Sequence, residues 1–142
     1  NFERTQIWRT NFQIWREYPV LGVGYGENQR RAEEFHTKYG RSGTLVGHAH
    51  NQFLQILAGM GVLGLIFYML IMLQLLHKTI IILKKLPENF DWLRGLTLGA
   101  LGAQICFHVA GLTEANFETA AVRHVFILIF ALVLWIKAQV PA

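Results

Sequence analysis

An uncharged apolar run over residues 53–76 constrains this chain more than any other feature. A helix of this length spans roughly 36 Å, which exceeds the ~30 Å hydrocarbon core of a bilayer. Gln55 and Gln74 lie near the two ends of the run, where we expect their amides to reach the membrane interface. The run therefore predicts a transmembrane helix over residues 53–76.

The first half of this predicted span contains three glycines. Gly59, Gly61 and Gly64 lie close together in the sequence. Small residues in a membrane helix usually allow a neighbouring helix to approach closely. We therefore expect the glycines to mark a packing surface, and we favour a continuous helix over a broken one.

Two further segments are apolar enough to cross a membrane. They cover about residues 95–112 and 120–136, and a short turn with Glu114 and Glu118 separates them. The chain is 53% hydrophobic and only 15% charged, which excludes an ordinary soluble domain. Its one cysteine, Cys106, excludes an internal disulfide and a cysteine-rich zinc site. The sequence predicts an all-α membrane bundle with three spans.

The basic residues of the short loops predict the orientation of this bundle. Residues 77–94 contain four of them and residues 113–119 contain none, so we expect the first loop to face the cytoplasm. Residues 1–52 and the 113–119 turn then share the opposite side. Because the polar residues 1–52 lead directly into a span, we expect a fragment of a larger membrane protein, namely its C-terminal part. The +4 net charge is too dispersed to indicate a nucleic-acid partner.

The chain begins with a predicted amphipathic helix. Trp8, Phe12 and Trp15 recur at helical spacing, and Pro19 is expected to end the helix. Arginines at positions 4, 9 and 16 accompany the aromatic residues. One interpretation is a membrane-surface anchor with solvated arginines and tryptophans at the interface. The other is that the arginines bind an anionic ligand.

Three hypotheses compete for the segment that enters the first span. His48 and His50 are spaced to share a metal ion, with His36 as a third ligand. Alternatively, Asn51 caps the coming helix and the histidines are incidental. In the third hypothesis, a neutral histidine at the membrane–water boundary removes a proton from a hydroxyl group.

Several motifs together resemble the O-antigen ligase and polymerase superfamily. His50-Asn51 is followed after nine residues by G-x-x-G at Gly61 and Gly64, which is similar to the H-N-x(9)-G-x-x-G pattern of that family. Arg4-x-x-x-Trp8 resembles its R-x-x-x-W motif. The segment YPVLGVGYG at residues 18–26 resembles its glycine-rich stretch. The resemblance covers about the first 65 residues and rests on the combination of motifs.

The resemblance implies a polytopic membrane glycosyltransferase with a GT-C-like fold. Such enzymes transfer a glycan from undecaprenyl pyrophosphate to a hydroxyl of lipid A-core, of a growing polysaccharide or of a protein. It implies His50 as the base and Arg4 as the pyrophosphate-binding residue, with no metal and no cofactor. As candidate substrate-binding residues we add Asn51, Arg9, His48 and Glu114.

The resemblance also implies a location and a domain organisation. We expect a multi-pass protein of the bacterial inner membrane, in which residues 1–52 form a periplasmic segment and residues 53–142 the transmembrane region. The expected partners are the lipid-linked glycan, its hydroxyl acceptor and the bilayer. One alternative is a non-enzymatic flippase or export component that binds the lipid-linked glycan without chemistry. A zinc-dependent membrane hydrolase is a weaker alternative.

Overall fold

The chain folds into six helices within the residues that the structure describes. A computed structural model describes residues 2–40, 48–87 and 90–139. No strand occurs in these ranges, which confirms the all-α prediction. The helices are α1 (Phe2–Glu17), α2 (Glu27–Arg30), α3 (Ala32–Lys38), α4 (Gln52–Lys85), α5 (Asp91–Ala110) and α6 (Ala120–Gln139).

The first three helices form a head that packs around the beginning of α4. Helix α1 ends at Glu17, as Pro19 predicts, because the residue before a proline disfavours helical backbone. Its buried face consists of Ile7, Thr10, Asn11 and Ile14. Ile14 joins a small core with Phe35 of α3 and Ala58 of α4. Trp8 and Phe12 of the predicted aromatic stripe remain exposed, and the contact of this stripe with a membrane surface stays a prediction.

Helix α4 is broken at Gly61, contrary to the expectation of a continuous span. Gly61 has φ 68° and ψ −170°, a backbone conformation that is essentially restricted to glycine. The break separates a first segment (residues 52–60) from a second segment (residues 62–85). The second segment alone is long enough to cross a bilayer, at roughly 36 Å.

A loop from the head fills this break, and we call residues 19–24 the clasp. Its backbone amides at Val23 and Gly24 donate to the carbonyls of Ala58 and Gly59, at 3.2 and 2.7 Å. Its carbonyls accept in turn from the amides that begin the second segment, where Val62 N lies 2.9 Å from Pro19 O. Backbone groups freed by a helix break need such partners. The glycines thus admit a loop, whereas the sequence predicted the approach of a helix.

The second segment of α4 packs with α5 and α6 into a three-helix bundle. Its core includes Leu75, Leu93, Phe107, Phe126 and Val133. The predicted loop over residues 77–94 is mostly helical, because α4 continues to Lys85 and α5 starts at Asp91. The short connections between the three helices make them antiparallel neighbours. The start of α4 and the turn between α5 and α6 therefore lie at the same end of the bundle, as predicted.

Of the helices in the described ranges, α4 and α6 have the length and apolar composition needed to cross a membrane. Helix α5 is not among them, although it lies against both. It contains Arg94, Gln104 and His108, which lower its mean hydropathy. The predicted span over residues 95–112 corresponds to α5, which starts four residues earlier and ends at Ala110. Its passage through the membrane stays a prediction.

Candidate active site

The turn between α5 and α6 is hydrogen-bonded to the beginning of α4 through Asn51 and Gln52, the two residues that follow His50. The Asn51 amide donates to Leu112 O at 3.0 Å, and Gln52 N donates to Gly111 O at 2.7 Å. The Gln52 side-chain oxygen accepts from Phe117 N at 2.8 Å. These bonds hold the turn against α4 and bring Glu114 next to His50.

Glu114 joins Arg4 and His50 in one polar cluster. His50 Nδ1 lies 3.1 Å from one Glu114 oxygen, and Arg4 Nη2 lies 3.5 Å from the other. An ionised carboxylate only accepts hydrogen bonds, so the His50 Nδ1 carries the proton in this contact. In a neutral His50 ring Nε2 then keeps its lone pair, and within the described residues it has no hydrogen-bond partner. This tautomer is the one that a general base requires.

The backbone at His50 adopts a left-handed conformation that three hydrogen bonds stabilise. His50 has φ 46°, which is uncommon for a residue with a side chain. Ala49 N donates to the Gln55 side chain at 2.9 Å, and Ala49 O accepts from the Trp8 indole at 2.8 Å. His50 N donates to His48 Nδ1 at 3.3 Å. Strained backbone of this kind persists where its surroundings fix it, often at functional sites.

His48 packs directly against the candidate base. The centroids of the His48 and His50 rings are 4.3 Å apart. Burial lowers the pKa of His48, and a positive charge on His50 would lower it further. The lowered pKa makes His48 a weaker base than an exposed imidazole.

Gln55 is the centre of a buried amide network that sequence reasoning missed. We expected Gln55 at the membrane interface, but it is 0% exposed. Its oxygen accepts from Ala49 N and from the Asn28 amide, while its amide donates to Asn28 and to Glu118. Asn28 also donates to Asn11 of α1 at 2.7 Å. The sequence signal was a glutamine one helical turn after Asn51 within an otherwise apolar run.

Tyr25 completes this network on the side of the turn. Its hydroxyl lies beside the carboxylate of Glu118. Burial raises the pKa of Tyr25 to about 12, and the negative charge of Glu118 acts in the same direction. Tyr25 therefore stays a neutral hydrogen-bond donor at ordinary pH.

The structure brings together most of the predicted site residues. Asn51 caps α4, since its side-chain oxygen accepts from Leu54 N at 2.9 Å, as one hypothesis predicted. Its amide bonds Leu112 and does not bond the His50 ring. Arg9 is outside the cluster and forms no ion pair with any residue in the described ranges.

The structure changes the set of residues that could hold a metal ion, because Glu114 and not His36 lies beside His48 and His50. His48, His50 and Glu114 have possible ligand atoms within 4.8 Å of one another. His36 was expected as a third ligand, but it is buried in α3 and does not belong to this group. Three such ligands are compatible with a zinc ion. However, Nδ1 of each histidine already has a hydrogen-bond partner within the group.

The sequence model described as O-antigen ligase matches residues 1–69. This part of the chain belongs to the O-antigen ligase family. The match covers the head, the clasp, the broken part of α4 and both Arg4 and His50. Glu114 and the helices α5 and α6 lie beyond it. No curated protein and no solved structure matches the chain.

The match of residues 1–69 to the O-antigen ligase family indicates an enzyme of the ligase or glycosyltransferase type that transfers glycans. Together with the two apolar helices it indicates a membrane protein. The clasp gives a physical account of two motifs through which the sequence resembles the family. Gly24 of the glycine-rich stretch donates to Gly59 O, and a Cβ at Gly61 of the G-x-x-G would overlap Val20 O, so one contact requires glycines of both motifs. Gly64 lies outside this contact, against the Met60 side chain.

Proposed function

We propose that this chain carries the catalytic base of an enzyme that transfers a glycan from undecaprenyl pyrophosphate to a hydroxyl acceptor. The acceptor is a lipid A-core, a growing polysaccharide or a protein, and the reaction occurs at the periplasmic membrane face. The contact between His50 and Glu114, with Arg4 on the other carboxylate oxygen, carries the proposal. Family membership supports the reaction type.

His50 and Glu114 act together on the acceptor in this proposal. Nε2 of His50 takes the proton of the acceptor hydroxyl while the oxygen attacks the anomeric carbon of the donor sugar. Glu114 holds the Nδ1–H tautomer and stabilises the positive charge that develops on the imidazole. A base in this position contributes roughly 10²–10⁴-fold to the rate.

Arg4 acts on the leaving group. As the new glycosidic bond forms, the bond from the anomeric carbon to the diphosphate oxygen breaks, and its electron pair leaves with the polyprenyl diphosphate. A guanidinium can bind two of the diphosphate oxygens at once, which stabilises the charge as it increases. The Arg4–Glu114 contact of 3.5 Å is long, and the Arg4 side chain is 39% exposed. Its other N–H groups are therefore available to a ligand.

The decisive experiment compares His50→Ala with His77→Ala in the complete membrane protein. His77 is an exposed histidine on the second segment of α4, so its replacement controls for a general effect of losing an imidazole. We expect His50→Ala to lower transfer by roughly 10²-fold or more while binding of the lipid-linked glycan is retained. Wild-type transfer by His50→Ala would contradict the proposal.

The same assay tests Arg4 and the alternative of a transport component. We expect Arg4→Lys to lower kcat by roughly 10²-fold, because a lysine ammonium cannot form the bidentate contact. A flippase or export component would instead move the lipid-linked glycan across the bilayer without forming a glycosidic bond. Translocation by the wild-type protein with no transferred product would favour that alternative.

A further inference from the structure

An open groove next to the Arg4–His50–Glu114 cluster has no role in the proposed chemistry. It has a volume of about 430 Å³ and lies along α1, where the first segment of α4 closes its other side. It starts at Thr5, the residue after Arg4, and follows α1 to Arg16 over roughly 16 Å. The side chains that matter for its chemistry are Trp8, Arg9, Phe12, Gln13, Arg16 and Leu54.

Two unpaired positive charges face this groove. Arg9 and Arg16 form no ion pair within the part of the chain that the structure describes. In contrast, Arg30, Arg31 and Lys38 each contact a glutamate. Two free guanidinium groups along one groove complement a ligand with repeated carboxylate or phosphate groups.

Fixed aromatic rings lie between these charges. Trp8 is 37% exposed, and its indole N–H is bonded to Ala49 O, which holds the ring in place. Phe12 is 48% exposed, and its ring centroid is 5.2 Å from that of Trp15. Exposed aromatic faces of this kind can bind the apolar C–H face of a sugar ring. Concave sites that combine apolar walls with a few polar groups are typical of ligand sites.

The charged groups of the groove distinguish a sugar acid from a hydrocarbon chain. The Arg9 and Arg16 guanidinium groups line the groove together with Trp8 and Phe12. Guanidinium groups bind carboxylates in charge-assisted hydrogen bonds, whereas an uncharged acyl or prenyl chain offers them no acceptor. The arginines and the rings therefore match one ligand class.

We infer that this groove is a subsite for an acidic oligosaccharide, one that carries carboxylates on successive sugar rings. The inference rests on the proposed function, because Trp8 holds the residue that precedes His50 and thereby places the subsite beside the transfer reaction. Arg9 and Arg16 bind the carboxylates, while Trp8 and Phe12 support the rings. A polyanionic glycan is then preferred over a neutral one of the same length.

The test measures binding without transfer, using the complete protein in nanodiscs of phosphatidylcholine. The probes are trigalacturonate and the neutral galactose trisaccharide of the same linkage, and the readout is the Kd by calorimetry at low salt. We expect the acidic probe to bind about tenfold more tightly, with a preference that decreases as salt increases. Arg9→Gln combined with Arg16→Gln should remove the preference, and Phe12→Ala should weaken both probes.

The matched control is Arg30→Gln, since the Arg30 side chain is 80% exposed and lies on α2. Equal weakening by Arg30→Gln, or equal affinity of the wild type for both probes, would overturn the inference. A third result would also overturn it: neither probe binds, and the Arg9/Arg16 double variant retains fewer phosphatidylglycerol molecules through purification than the wild type does. In that case α1 would be a lipid-contact helix. Normal His50-dependent transfer without acidic preference would refute the subsite alone, whereas transfer independent of His50 would refute the proposed function.

Discussion

Replacing Gly61 by alanine tests whether α4 is broken where the clasp enters. An alanine Cβ at this position would lie 2.2 Å from Val20 O and 2.3 Å from Val20 C, both backbone atoms that cannot rotate away. The φ of 68° adds about 1–3 kcal/mol of strain for a residue other than glycine. Displacing the clasp also leaves buried backbone groups unpaired, at about 1–3 kcal/mol each. We expect Gly61→Ala to destabilise the protein by roughly 3 kcal/mol or more.

Substitutions at two other glycines separate the cost of backbone strain from the cost of displacing the clasp. Gly26 has a φ of 81° with nothing near its missing Cβ, so Gly26→Ala should cost only the strain of about 1–2 kcal/mol. Gly99 lies within α5 with open space around it, so Gly99→Ala should be neutral or stabilising by about 1 kcal/mol. The assay is thermal unfolding of the complete protein in detergent, followed by tryptophan fluorescence.

The expected order of Tm is Gly99→Ala highest, Gly26→Ala intermediate and Gly61→Ala lowest. Gly22→Ala provides a second route to the same contact, because its Cβ would lie 2.4 Å from Gly59 C. Combining it with Gly61→Ala should lower Tm by less than the sum of the single effects, since both substitutions open one clasp. If Gly61→Ala unfolds at the temperature of Gly99→Ala, α4 is a continuous helix and the clasp argument fails.

Four further predictions follow from the same contacts. Gln55→Met should lower the free energy of unfolding by about 2–4 kcal/mol, and it should reduce kcat more than substrate affinity because it leaves Ala49 N unpaired beside His50. The control is Gln104→Met in the bundle, and an equal loss of kcat in that variant would contradict a specific role of Gln55. Asn51→Ala should cost about 1 kcal/mol through loss of the cap, measured by Tm, with Asn51→Asp retaining most of it. The pKa of Tyr25 is raised from 10.0 to about 12, so its contribution to the free energy of unfolding is complete below pH 10 and is lost towards pH 12. Denaturant titrations over this pH range should show a smaller loss of stability for Tyr25→Phe than for the wild type. A chelator should leave glycan transfer unchanged, whereas inactivation that zinc reverses would place an ion at the His–His–Glu cluster.

Local signals in the sequence were sufficient for the features that depend on neighbouring residues. Pro19 predicted the end of α1, Asn51 predicted the cap of α4, and the apolar segments predicted the long helices. The motif resemblance also predicted His50 and Arg4 as a pair, and the structure connects them through Glu114. The roles of these residues stay predictions until the substitutions are measured.

The features that could not be predicted depend on partners that are distant in the sequence. A glycine in an apolar run is compatible with close packing or with a break, and the break at Gly61 is stabilised by a loop some forty residues earlier. Gln55 is similarly ambiguous, because its burial depends on Asn28, which precedes it by 27 residues, and on Glu118, which follows it by 63. The hydrophobic periodicity and the composition of a segment depend on that segment alone, so they do not show which distant residues contact it.

The first segment of α4 connects the clasp to the Arg4–His50–Glu114 cluster, because it contacts both. This segment carries Asn51, Gln52 and Gln55 at one end, which attach the 111–118 turn and the His50 backbone. At its other end it terminates in the clasp, so its position is fixed from both sides. In a continuous α4 the axis of the second segment would fix the orientation of these residues. The break at Gly61 frees the first segment from that axis, so the clasp and the 111–118 turn orient it, and the glycines that permit the break thereby serve the geometry around His50.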